Sequence, residues 1–183
     1  MNKKTGKIKI KMKKNIVLLS LSLALLGHTY SVHADTVCYD VEGGEASTNN
    51  ISAYQQSGKI ELSLTNQETG ELVSLEGDLN GMIIGADAEG TLYLTHTATS
   101  NDGSVPFTFI TLNDRAVFTG APDGCFLPVH ETITNIIAGT GITVDVVSVN
   151  LDVYGSINFI NEGECLGVPN TFENISGEMC FNQ

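Results

Sequence analysis

The 183-residue chain is 42% hydrophobic and 16% charged, with 21 acidic side chains, nine basic ones and four cysteines. Seven of the basic residues fall in the first 14 positions and all the acids lie after residue 34, so from residue 35 on two basic and 21 acidic side chains leave a formal charge of −19. Such a field repels nucleic acid and anionic membrane surfaces, which excludes both as partners.

Residues 1–34 read as a secretory signal peptide. A lysine-rich start leads into an apolar run at 16–26, and Val32 and Ala34 occupy positions −3 and −1 of a cleavage site. The run is shorter than the roughly 20 residues a membrane-spanning helix needs. Met12 offers a second start, and Cys38 lacks the context of a lipid-attachment site. The expected product begins at Asp35, is secreted or periplasmic, carries no membrane span, and forms one domain over residues 35–183.

After residue 34, alternation of apolar and polar residues replaces helical periodicity, with Gly, Asn and Asp as punctuation. Ser57-Gly58 leads into Lys59–Leu64, where Ile60, Leu62 and Leu64 share a face. Glu68-Thr69-Gly70 turns into Glu71–Leu75, and Asn80-Gly81 predicts another turn before Met82–Ile84. Further strands are predicted over Thr91–Thr97, Val105–Leu112, Ala116–Thr119, Phe126–Ile137, Ile142–Val153 and Ser156–Ile160, with a last one around Met179–Phe181. Residues 161–178 read as a long polar loop pinned by a cysteine. Nine or ten short strands joined by hairpin turns predict an all-β antiparallel fold, and up-and-down closure into a barrel removes exposed edges.

Four cysteines in an exported chain predict two disulfides out of three connectivities. If first and last strands meet in a barrel, Cys38 faces Cys180, and Cys125 then pairs with Cys165. No cysteine pair has zinc-ligand spacing, and no metal site or cofactor is read from the sequence.

From residue 81 the motifs GMIIG, LTH, DGSVPFTFITLNDRAVFTG, HETITNIIAGTG and YGSIN, closed by ISGEMCF, run in sequence. This order resembles exported bacterial proteins of the allene oxide cyclase barrel-like group, within the calycin-like barrels. In that group a histidine-bearing strand, an acid-bearing hairpin, a Glu-Thr-(Leu/Ile) strand, a Gly-Gly-Thr-Gly turn and a closing Gly-x-(Ile/Val)-Cys recur. The likeness covers roughly the second half of the mature chain. Ala138-Gly139 replaces the double glycine, and Ile142 stands where the group has an aromatic. The resemblance implies a single antiparallel up-and-down barrel of about eight strands around an apolar cavity. In the plant enzymes that cavity holds a fatty-acid-derived epoxide whose ring closure a buried glutamate assists.

Two polar residues interrupt apolar faces. His96 shares a face with Leu92 and Leu94, and Glu131 with Leu127, Val129 and Ile133, so a barrel turns both inward. There they form either an acid/base pair or a polar anchor for a ligand, against a plain buried hydrogen-bonded pair. Phe107 and Phe109 share a face and line the cavity or fill the core. His130 falls on the outer face. Arg115 is expected to pair locally with Asp114 or another surface acid. Acidic turns at Asp78–Gly81, Asp87–Gly90 and Asn101–Gly103 offer oxygens for calcium but match no EF-hand loop. Asn50-Ile51-Ser52 and Asn174-Ile175-Ser176 fit the glycosylation sequon.

Three functions follow from these readings. The first is an exported barrel that binds a small apolar or amphipathic ligand at His96 and Glu131. The second is a cyclase- or isomerase-like enzyme using the same cavity. The third is a secreted acidic interaction or matrix protein whose exterior meets either a partner or calcium. An outer-membrane barrel is disfavoured by the cysteines, the missing aromatic girdles and the Asn182-Gln183 end.

Overall fold

A computed structural model describes residues 35–101 and 103–182, and the signal-peptide reading of residues 1–34 lies outside the described residues. Ten strands follow one another: β1 (Thr36–Asn50), β2 (Gln55–Asn66), β3 (Leu72–Ala86), β4 (Leu92–Ser100), β5 (Phe107–Thr111), β6 (Asp114–Phe118), β7 (Phe126–Ile133), β8 (Ile136–Gly141), β9 (Val146–Asn158) and β10 (Asn170–Asn182). A single 3-10 turn, Gly163–Cys165, precedes β10. Eight strands close an antiparallel barrel in chain order, β1-β2-β3-β4-β6-β7-β9-β10, with β10 returning to β1. The remaining two, β5 and β8, form a side ladder attached to β4. The all-β, up-and-down expectation therefore holds, with eight strands in the ring.

Alternation sets the interior. Ile60, Leu62 and Leu64 of β2, Leu75 and Leu79 of β3, and Val149, Leu151 and Val153 of β9 all point inward and are buried. One end is filled by side chains: Leu62, Leu64, Leu75, Met179 and Phe181 are almost wholly buried, and the Tyr39 and Phe181 rings meet with centroids 6.0 Å apart. The Cys38–Cys180 disulfide ties β1 to β10 beside this end, across a pair of residues in direct register. It closes a loop of 142 residues, worth about 4–5 kcal/mol in the chain-entropy account. Cys125–Cys165 ties the β6–β7 connection to the β9–β10 connection at the opposite, open end. Among the described residues no helix is long and apolar enough to cross a membrane.

The strands are longer than their sequence pattern indicates. Gly58, Gly81 and Gly155 punctuate no turn; each lies inside a strand, in β2, β3 and β9. A Cβ at Gly58 would run into the carbonyl of Ser47 on β1, so glycine here permits close backbone approach. The predicted loop at 161–178 ends at residue 169, because β10 already starts at Asn170. Phe172 and Ile175 face the core, and a register shift between Phe172 and Asn174 breaks the period of two that would have marked the strand. Phe126–Ile137 divides into β7 and the start of β8.

Candidate functional site

The site forms where β4 changes partner. Leu92–Leu94 bond to β6, whereas Thr97–Thr99 bond to β5. At the break the Thr95 hydroxyl donates to the Thr111 carbonyl at 2.6 Å, and the His96 backbone N–H donates to Thr111 Oγ1 at 2.9 Å. The chain crosses from β5 to β6 through Asn113, whose φ of 61° is tolerated by asparagine better than by most residues. This tight crossing delivers Asp114 to the barrel interior directly beside His96.

Three titratable side chains meet there. His96 Nδ1 lies 2.8 Å from Asp114 Oδ2 and 3.3 Å from Glu131 Oε1. The Thr111 hydroxyl also donates to Asp114 Oδ2. Fractional exposures are 5% for His96, 0% for Asp114 and 4% for Glu131. The shorter contact, to Asp114, is the hydrogen bond, and Glu131 lies within ion-pair distance of the ring without one. Asp114 Oδ1 and Glu131 Oε1 are buried without a hydrogen-bond partner. Burial works to lower the His96 pKa, but the Glu131 charge and the Asp114 bond and charge outweigh it and hold the imidazole above its ordinary value. Burial raises the Glu131 pKa, the His96 charge opposes the rise and Asp114 adds to it, for a net upward shift.

Gly81 makes room for this cluster. It sits opposite His96 in the β3–β4 register, and a Cβ there would lie 2.8 Å from His96 Cδ2 and 2.8 Å from Gln56 Nε2. Gln56 belongs to a second polar set: its Oε1 accepts from Thr48 at 2.6 Å and from Asn170 at 3.0 Å, and Asn170 in turn accepts from the Asn158 backbone at 2.7 Å. That set fastens the 159–169 connection across the open end. It also occupies the first sequon asparagine, since Asn50 donates to Asn158 O and accepts from Asn170.

A cavity of about 420 Å³ opens at this end, lined by Tyr54, Met82, Leu94, Val129, Ile157 and Phe172 among others, with Glu131 in its wall. Tyr54, Met82, Phe118, Phe159 and Ile160 line it while remaining exposed. A smaller inner cavity of about 40 Å³ is walled by His96, Phe109, Leu62 and Leu151, and Glu131 and Gln56 line both. Glu131 therefore stands between an apolar vestibule and the His96–Asp114 pair.

His96 and Glu131 are brought together as neighbours, and Phe109 borders the same inner cavity while Phe107 stacks on it at 5.9 Å in the core. His130 is on the outer face, 2.7 Å from Asp152 and stacked on Tyr154 at 4.3 Å. The expected Arg115–Asp114 pair does not form: adjacent residues of a strand point to opposite faces, and Asp114 is taken by His96 and Thr111. The acidic turns are largely satisfied locally. Asp87 accepts from the Thr91 and Glu89 backbones and from Tyr93, and Asp78 pairs with Lys59.

Sequence reasoning missed Asp114 and Thr111. The signal available was the phase of Asp114 with Ala116, two residues on and equally buried. His96 Nδ1 and one oxygen each from Asp114 and Glu131 lie within 4.8 Å of one another, a donor set able to take a divalent cation. A second such set, Cys38, Glu178 and Cys180, has both sulfurs committed to a disulfide. No protein-family model, curated protein or solved structure matches the chain.

Proposed function

We propose that the chain is an exported binding protein whose barrel takes a small amphipathic molecule, with the apolar body in the vestibule and the polar head against Glu131 and His96. The observation that carries this reading is the 420 Å³ opening, walled mostly by apolar side chains, with a buried Glu131 oxygen that accepts no hydrogen bond at its inner side. Its size falls in the usual range for small-molecule sites, which combine apolar walls with a few placed polar groups. Phe109 closes the space behind the head. The likeness to the allene oxide cyclase barrel-like group belongs to the same reading, supported at the level of the barrel alone.

The test is uptake of a neutral solvatochromic hydrophobic dye at a stoichiometry near one. Leu94→Trp, which fills the vestibule, should abolish that uptake while the β-sheet circular dichroism stays. Failure to bind any member of a broad dye and lipid panel sinks the proposal.

The clustering of His96, Asp114 and Glu131 favours a second reading, an isomerase- or cyclase-like enzyme. Glu131 would deliver its proton to one position of the bound molecule and, as the carboxylate so formed, take a proton from another, with His96, oriented by Asp114, holding the transient negative charge. Glu131→Gln keeps the shape but removes the acid, and turnover that survives it takes Glu131 out of the mechanism.

A further inference from the structure

We propose that the polar head received at Glu131 is a protonated amine, which makes the ligand a cationic amphiphile and not a fatty acid. This inference rests on the binding function proposed above and adds the chemical class of the ligand. Two lines of observation lead to it.

The first is the hydrogen-bond inventory. Glu131 Oε1 accepts no hydrogen bond, in a side chain more than nine-tenths buried that lines both cavities. A buried acceptor left without a donor keeps the cost of its lost hydration, and that cost is larger when the group is charged. A ligand that brings donors relieves that cost; a carboxylate brings none.

The second is charge. Two carboxyl groups face one imidazole, and the imidazole already lies between them at 2.8 and 3.3 Å. From residue 35 on, the other basic side chains are Lys59, Arg115 and His130, the last on the outer face beside Asp152. Lys59 is exposed and paired with Asp78, and Arg115 is exposed on the outward face of β6. Neither lines the cavities that Glu131 borders. An anionic head would therefore enter a water-poor site beside two acids whose one basic neighbour, His96, is already shared between them, which is a costly way to bury a charge. An ammonium supplies the missing positive charge together with three donors. The formal charge of −19 also concentrates cations around the molecule before they reach the opening.

The experiment displaces the neutral dye with dodecylamine, dodecanol and dodecanoate, three molecules that share one tail. The amine should compete at a concentration on the order of tenfold below the alcohol, a gap of about 1.4 kcal/mol, with the carboxylate weakest. The order should persist in high salt, because a buried pair is little screened. Glu131→Gln should bring the amine down to the alcohol. Dodecanoate competing as well as the amine overturns the inference, and so does an amine preference that Glu131→Gln leaves intact or that salt erases. Dye that binds but yields to none of the three also overturns it while the binding function stands. A protein that takes up neither dye nor competitor loses both.

Discussion

Asp114 holds the interior polar cluster together, since one of its oxygens serves both His96 and Thr111 and its side chain has no exposure. Asp114→Asn should destabilise the barrel by about 3 kcal/mol, because removing one member of a buried ion pair strands the other. The pH dependence of that cost has a definite sign. His96 has a folded pKa above its ordinary 6.5, so its contribution is fully present below 6.5 and is lost as the pH rises through the raised value. Glu131, raised above 4.5, is likewise stabilising in its protonated form and loses that contribution as the pH rises. Without the Asp114 charge both shifts shrink. Urea denaturation of wild type and Asp114→Asn across the acid and neutral range should therefore give a difference that is largest in acid and narrows with rising pH; a difference that widens contradicts the assignment. The inward direction of His96 and Glu131 was readable because each follows in-phase apolar residues on its own strand. Asp114 opens its strand straight after a tight crossing, so no preceding residue sets its phase, and a charged residue beside asparagine reads as a turn.

At the scale of strands, glycine was the residue most easily misread. In a small barrel the strands coil and approach closely, and a glycine in mid-strand then marks a contact between elements and no reversal of direction. β3 offers an internal comparison. A Cβ at Gly81 meets His96 and Gln56 at 2.8 Å, whereas one at Gly85 meets nothing within 4 Å. Gly81→Ala should cost about 1–3 kcal/mol through overpacking and should shift the His96 ring resonances, while Gly85→Ala should leave both nearly unchanged. Equal costs at the two positions would remove Gly81 from the support of the site. The hairpins at 67–71, 87–91 and 101–106 were legible because their glycines or acids sit between clean alternating runs. β1 and the first half of β10 were not, because register shifts at Val41/Gly44, Gly44/Ala46 and Phe172/Asn174 interrupt the period on which the reading depends. The disulfide pattern could be foreseen for the opposite reason: a ring closed in chain order makes the first and last strands neighbours, which brings Cys38 and Cys180 within reach, and the register then pairs them directly.

For the molecule as a whole, burial and charge oppose each other. The closed ring and its filled end stabilise a strongly acidic exterior, from residue 35 on 21 acidic side chains against two lysine or arginine ones with only Asp114 and Glu131 of the described acids buried, and part of that charge is arranged unfavourably. Glu45, Glu61 and Glu76 lie side by side on β1, β2 and β3 in direct register, all exposed. Like charges directly opposite across strands are destabilising, and here one residue has such a neighbour on each side. Screening should relieve this repulsion: at about 0.01 M salt the Debye length is about 30 Å and the whole shell repels itself, whereas at about 1 M it is about 3 Å and only immediate neighbours do. The melting temperature should therefore rise with added sodium chloride. Glu61→Lys replaces two repulsions with two attractions, since the new ammonium lies between Glu45 and Glu76. It should raise stability by about 0.5–1 kcal/mol in low salt and flatten the salt dependence. Lys59, opposite Asp78 on the same outer face of β2 and β3, already shows the favourable version of this arrangement. A melting temperature indifferent to salt, or a Glu61→Lys protein less stable than wild type in low salt, would mean that the acidic shell is solvated well enough to exact no cost on folding.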